Sequence, residues 1–153
     1  MDFEIPKCEF AFEIRVECGP PQVIGQTPDG LAMMIPILGG TVSGPGLKGR
    51  VISGGADWPI RRGSFTLIDA QYAIEADDGV IIRIHNRGVA FDENGQSAPQ
   101  DGGRRMPSYV RTVPQFIAPD GPHAWLNRTI FVGTLQADPS QAPFVVVRVF
   151  KVV

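Results

Sequence analysis

The run CEFAFEIRVEC, Cys8 to Cys18, sets Phe10, Phe12, Ile14 and Val16 at alternate positions and Glu9, Glu13, Arg15 and Glu17 between them. Successive side chains of a β-strand point to opposite faces, so a period of two describes a strand with one face in a core and one in water. A helix would scatter the same residues around its circumference. Later runs repeat the pattern: LAMMIPIL, GRVISGG, SFTLIDAQYAIEA, GVIIRIHNRG, SYVRTVPQF, WLNRTIFVGTL and PFVVVRVFKVV. Between them stand the turns TPDG, ADDG, DENG and PDG, each ending in the glycine that hairpin loops use for positive φ. Glycine (18) and proline (14) are spread along all 153 residues instead of gathering in a linker, which is the punctuation of many short strands. No long 3.6-residue period with caps competes with this reading. The pattern predicts an all-β chain, residues 1–153 forming one domain, folded as a single antiparallel β-barrel of about eight strands. A barrel of that size holds its own side chains or one small ligand.

Charge and cysteine usage narrow the partners. Lys plus Arg is 14 against 16 for Asp plus Glu, a net charge of −2, so no basic footprint for nucleic acid or anionic lipid is present. The longest apolar run, LAMMIPIL, is too short to span a bilayer, and the acidic start MDFEIPKCEF lacks the basic and apolar regions of a secretory signal. Cys8 and Cys18, at the two ends of one strand, would be roughly 33 Å apart, against the ~7 Å Cα separation that a disulfide tolerates. Both are expected as thiols in a reducing compartment, and the protein is expected to be cytoplasmic. His85 and His123 are remote in sequence, and no Cys-x-x-Cys or His-Glu-x-x-His spacing occurs, so no metal is expected. No Gly-x-Ser-x-Gly elbow anchors a hydrolase triad.

The stretch GPGLKGRV, Gly44 to Val51, has the spacing of a phosphate-binding glycine loop. Such a loop must open a helix, whose N-terminal N–H groups hold the phosphates, yet RVISGGADW follows, β-branched and then glycine-rich. No nucleotide cofactor is expected. Taken with its surroundings, the segment carries Gly39-Gly40, Gly44-Pro45, Leu47, Gly49 to Val51, Gly54 to Trp58, Asp69-Ala70 with Tyr72, Asp78-Gly79 and Arg87-Gly88. Further on come Tyr109, Arg111-Thr112, Pro114, Phe116, Trp125 to Asn127 and Ile130 to Gly133. Over nearly the whole chain these residues resemble the family of domain of unknown function 3237 (DUF3237). The resemblance implies a compact β-barrel, calycin- or streptavidin-like, and no settled reaction.

Polar residues within apolar strands mark a wet cavity, an ion pair or a surface, because burying one without a partner costs about 1–3 kcal/mol. Arg83, His85 and Arg87 face away from Ile82 and Ile84; Tyr109 and Arg111 share a face with Val113; Trp125, Asn127, Thr129 and Phe131 would share another; Arg148 interrupts the Phe144, Val146 and Phe150 face. If those faces line the barrel, Arg83, Arg111 and Arg148 with Trp58, Trp125, Phe131 and Asn127 would hold a planar, aromatic or anionic organic ligand. Otherwise the arginines lie outside and the aromatics plug the barrel. Asp57 follows Gly54 and Gly55, where a carboxylate beside an indole could be a base with a raised pKa or the cap of a turn. Asp69 and Tyr72 lie on opposite faces of one strand, so at most one of the two faces inward. If the chain is an enzyme, isomerisation, cyclisation, hydration or elimination fits these residues. Asp57 or Asp69 would be the base, Tyr72 or Tyr109 the acid, and Arg111 with Asn127 the oxyanion stabilisers. A non-catalytic binding module and a structural or assembly barrel are the alternatives. Both faces of the last strand are apolar, which predicts a homo-oligomer with a second subunit on its outer face.

Overall fold

The computed structural model describes residues 1–93, 107–137 and 144–153. Ten strands run in chain order: β1 (Cys8–Cys18), β2 (Gln22–Thr27), β3 (Gly30–Ser43), β4 (Gly49–Asp57), β5 (Ile60–Arg62), β6 (Phe65–Ala76), β7 (Ile81–Phe91), β8 (Tyr109–Ile117), β9 (Phe131–Ala137) and β10 (Phe144–Val152). Eight of them, in the order β1-β10-β9-β8-β7-β6-β4-β3, form an antiparallel sheet that the β1–β3 pairing closes into a barrel. The two short strands sit outside that circle: β2 pairs β3, and β5 bridges β3 and β6. The DENG turn expected at the end of β7 lies partly outside the described residues.

The alternation read in CEFAFEIRVEC is present, with one displacement. Phe12, Ile14 and Val16 are buried, while a bulge between Phe10 and Phe12 turns Phe10 outward against Phe150. One half of the barrel is filled solidly. Phe12, Phe116 and Phe131 meet there with ring centroids 5.1–6.3 Å apart, ringed by Ile74, Ile82, Ile84 and Val149. A 3-10 turn, Ala124–Arg128, plugs that end by burying Leu126 and laying Trp125 on Phe131.

The GPGLKGRV loop runs over the same end, and its glycines permit close approach. A Cβ on Gly44, at φ +149°, would strike the main chain of Phe12; one on Gly46 would crowd the Trp125 ring; one on Gly49 would meet the Glu75 carbonyl. The run WLNRTIFVGTL was expected to be strand from its first residue, but β9 starts at Phe131. The reason is local. The Asn127 side chain donates to the Ala118 carbonyl and accepts from the Ala118 N–H, each at 2.8 Å, and Thr129 Oγ1 donates to the Trp125 carbonyl at 2.7 Å. These bonds occupy main-chain groups that a ladder would need.

Candidate functional site

Toward the other end the inward residues change character. Register places Asp57, Ala70, Asn86 and Pro114 side by side across β4, β6, β7 and β8. The next rung is Ile68, Gly88, Thr112 and Gly133. Tyr72 lies one rung nearer the solid half, beside Ile84. Beyond this band a second, small apolar cluster of Ile68, Ala90 and Val110 closes the sequence of rungs. Polar and small side chains therefore interrupt a core that is apolar on either side.

Three atoms of this band are buried without a hydrogen-bond partner from the protein: Tyr72 Oη, Asn86 Oδ1 and Thr112 Oγ1. Buried polar groups in folded proteins are overwhelmingly paired, so three together define an unusual surface. Thr112 lies between two glycines, Gly88 and Gly133, at both of which a Cβ would collide with its side chain. Tyr72 lies over Gly55 in the same manner. Burial pushes the Tyr72 phenol well above its usual range, with the nearby Cys18 and Asp57 groups, when ionised, adding to the effect.

Asp57 ends β4. Its Oδ1 accepts the Asp69 N–H at 3.0 Å, and the Trp58 N–H donates to the Asp69 carbonyl at 3.0 Å, so the aspartate both terminates the β4–β6 ladder and faces the inner band. Desolvation dominates the carboxyl, helped by the charge of Asp69, and outweighs the two main-chain N–H contacts, so its pKa is pushed up to about 6. A group at that value carries or releases a proton near neutral pH.

The convergence expected of the other residues is not found. Arg83 is exposed on the outer face and bonds Gln71, and Arg148 is exposed and pairs with Glu13 across β1 and β10 at 3.0 Å. Arg111 lies outside over the Tyr109 ring, which stacks on Phe91 at 4.7 Å. In each case strand parity decides: the neighbours Ile82 and Ile84, Val147 and Val149, and Val110 and Thr112 take the inside. Asp69 is also outside, 2.6 Å from His85. Trp58 is 47% exposed. Trp125, Asn127 and Phe131 belong to the plugged end, far along the barrel from Asp57, and both polar groups of Asn127 are taken by Ala118. Of the expected set, Asp57 and Tyr72 face the inner band. Asn86 and Thr112 were not among the residues expected to carry chemistry, although parity marks both. Each is the polar residue at an inward position, after Ile82 and Ile84 in one strand and between Val110 and Pro114 in the other.

Among the described residues no group of three or more His, Cys, Asp or Glu side chains is gathered to hold a metal ion, and no helix is long and apolar enough to cross a membrane. Cys8 and Cys18 are both thiols.

Comparison with known proteins places the chain among relatives. A family model described as protein of unknown function (DUF3237) matches residues 6–152. A UPF0311 protein of Rhodopseudomonas palustris is 32% identical over 130 residues, spanning 82% of this chain and 85% of the relative. The crystal structure of a β-barrel-like protein from Acinetobacter baumannii superposes with a TM-score of 0.83 at 27% identity, covering 99% of each chain. That of an enzyme from Penicillium herquei gives a TM-score of 0.74 at 21% identity, covering 100% of this chain and 98% of the other.

Proposed function

The chain belongs to the DUF3237 family, and from that premise we propose that it binds a small, uncharged organic molecule in the Asp57 half of the barrel and moves a proton on it. The observation that carries this reading is the band of unpartnered Tyr72, Asn86 and Thr112 atoms beside the Asp57 carboxyl. A ligand offering hydroxyl and carbonyl groups would satisfy all three atoms at once. Because the arginines are outside, nothing among the described inner residues neutralises a carboxylate, and a neutral ligand with an acidified C–H or O–H fits better than an anion. Asp57 is suited to take the proton, since a base works best when its pKa lies near the working pH. Tyr72, still protonated at neutral pH, is suited to donate a hydrogen bond to the oxygen on which charge develops. Isomerisation, cyclisation, hydration and elimination all share that first step. The Penicillium herquei neighbour is described as an enzyme, a fold-level analogy that favours catalysis over mere binding.

The test uses hydroxyaryl ketones and simple cyclic ketones in D2O, following replacement of activated C–H by C–D with proton NMR. The full chain is expected to accelerate exchange for some of them, Asp57→Asn to lose roughly 100-fold or more while retaining binding, and Tyr72→Phe to lose less. Binding to the Tyr72–Thr112 band with no exchange above buffer would make the barrel a binding module. Neither exchange nor binding across the set would remove the reading.

A further inference from the structure

Asp69 has its side chain on one side of the barrel wall and its main chain turned toward the site. Outside, its Oδ1 is 2.6 Å from His85 Nε2, and Arg87 Nε lies 3.1 Å from the same nitrogen and 3.9 Å from the same oxygen. Within the wall, its N–H donates to Asp57 Oδ1 and its C=O accepts from the Trp58 N–H, both at 3.0 Å. We propose that the outer Asp69–His85 pair is a positioning element for Asp57: by pinning β6 at Asp69 it fixes the amide that aims the carboxylate.

The chemistry of the outer cluster is consistent with a fixed clasp. With its proton on Nε2, His85 donates to Asp69 and Arg87 is drawn to the same carboxylate; with Nε2 bare, two acceptors would face each other at hydrogen-bond distance. The first arrangement bonds His85 to Asp69 and leaves the Arg87 Nε–H to the ion pair with that carboxylate at 3.9 Å instead of to the imidazole nitrogen. From β6, His85 faces Asp69 and the neutral Gln71; from β8 it faces the neutral Gln115; on its own strand the flanking charges are Arg83 and Arg87. The regular β4–β6 ladder is interrupted between Ile52 and Ala56 and is brief thereafter, so on the β6 side the Asp69 contacts help to hold the end of β4, whose other edge pairs with Ile35, Pro36 and Ile37 of β3.

Only the consequence for turnover rests on the proton-transfer reading, because the link itself can be measured without a substrate. The measurement is a carbon-13 NMR titration of the Asp57 carboxyl in the full chain. His85→Ala loosens the amide donor and leaves the Asp69 charge opposed only by Arg87 at 3.9 Å, both of which raise the Asp57 midpoint, by an expected half a pH unit or more, on the order of a threefold change in proton affinity. Asp69→Asn removes that charge while its side-chain oxygen still accepts from His85, and the midpoint is expected to fall. His85→Gln, which keeps a donor, is expected to stay near the parent value and serves as the folded control. Opposite shifts are not what general loosening of the barrel produces. Midpoints that stay put, or that move together, in folded variants would overturn the proposal. Opposite shifts in a protein that exchanges no C–H would keep the clasp and discard the catalytic role of Asp57.

Discussion

Asp57 is held where its charge is poorly solvated, and the energetic consequence has a definite sign. Its pKa of about 6 in the folded chain exceeds the ordinary 3.8, so between those values the folded protein holds a proton that the unfolded chain has released. Stability therefore declines as pH rises through that window and is lower above it, by on the order of 3 kcal/mol. Asp57→Asn keeps the acceptor for the Asp69 N–H and removes the charge. Urea unfolding at pH 4.5 and pH 7.5 should show the variant gaining on the parent at the higher pH, with little difference at the lower. Tyr72 presents the companion case, a buried hydroxyl without a partner. Tyr72→Phe should leave the melting temperature unchanged or raise it, in keeping with about 1 kcal/mol recovered from an unpaired group, although it impairs the proposed chemistry. The sequence made Asp57 and Tyr72 visible through their glycines and strand parity. Asn86 and Thr112 were equally written in the parity but hidden by chemistry, because an uncharged amide and hydroxyl at inward positions are compatible with an ordinary core, whereas the three neighbouring arginines demand a partner or water.

At the scale of elements, the barrel depends on places where strands approach more closely than side chains allow. A Cβ on Gly88 would be driven into the Arg111 carbonyl oxygen, main chain that cannot swing aside. Gly88→Ala is accordingly expected to cost about 2–4 kcal/mol by thermal unfolding. Gly133→Ala, whose nearest obstacle is the Thr112 hydroxyl, should cost less while displacing that hydroxyl. At the plugged end, Asn127→Ala removes both bonds to Ala118 and should speed hydrogen exchange of the Ala118 amide. The long strands were legible because one buried face imposes a period of two. The short β2 and β5 were not, since they lie outside the barrel circle and carry little of that signal. The stretch from Trp125 to Ile130 reads as strand by composition, and the Asn127 clamp on Ala118, a contact between distant elements, overrides it.

Across the whole molecule, the outer surface of β1 and β10 carries an apolar contact beside the Glu13–Arg148 and Glu9–Lys151 pairs. Phe10, 44% exposed, packs edge-on against Phe150, and Phe3 and Ile5, in the segment before β1, are 80% and 78% exposed. Such a surface fits a second copy of this chain, and light scattering at micromolar concentration should return a mass above the 16.6 kDa of one chain. Phe150→Lys should return it to that of a monomer; a parent that is already monomeric would remove this expectation. The circle itself also has a history built into it. β1 lies between β3 and β10, so a ribosome that has made the opening strand must translate through Phe144 and beyond before that strand gains its second neighbour. Until then the nascent chain is an unfinished curl with raw edges at both margins, the kind of intermediate that holding chaperones shield, and its completion is timed by synthesis of the final strand.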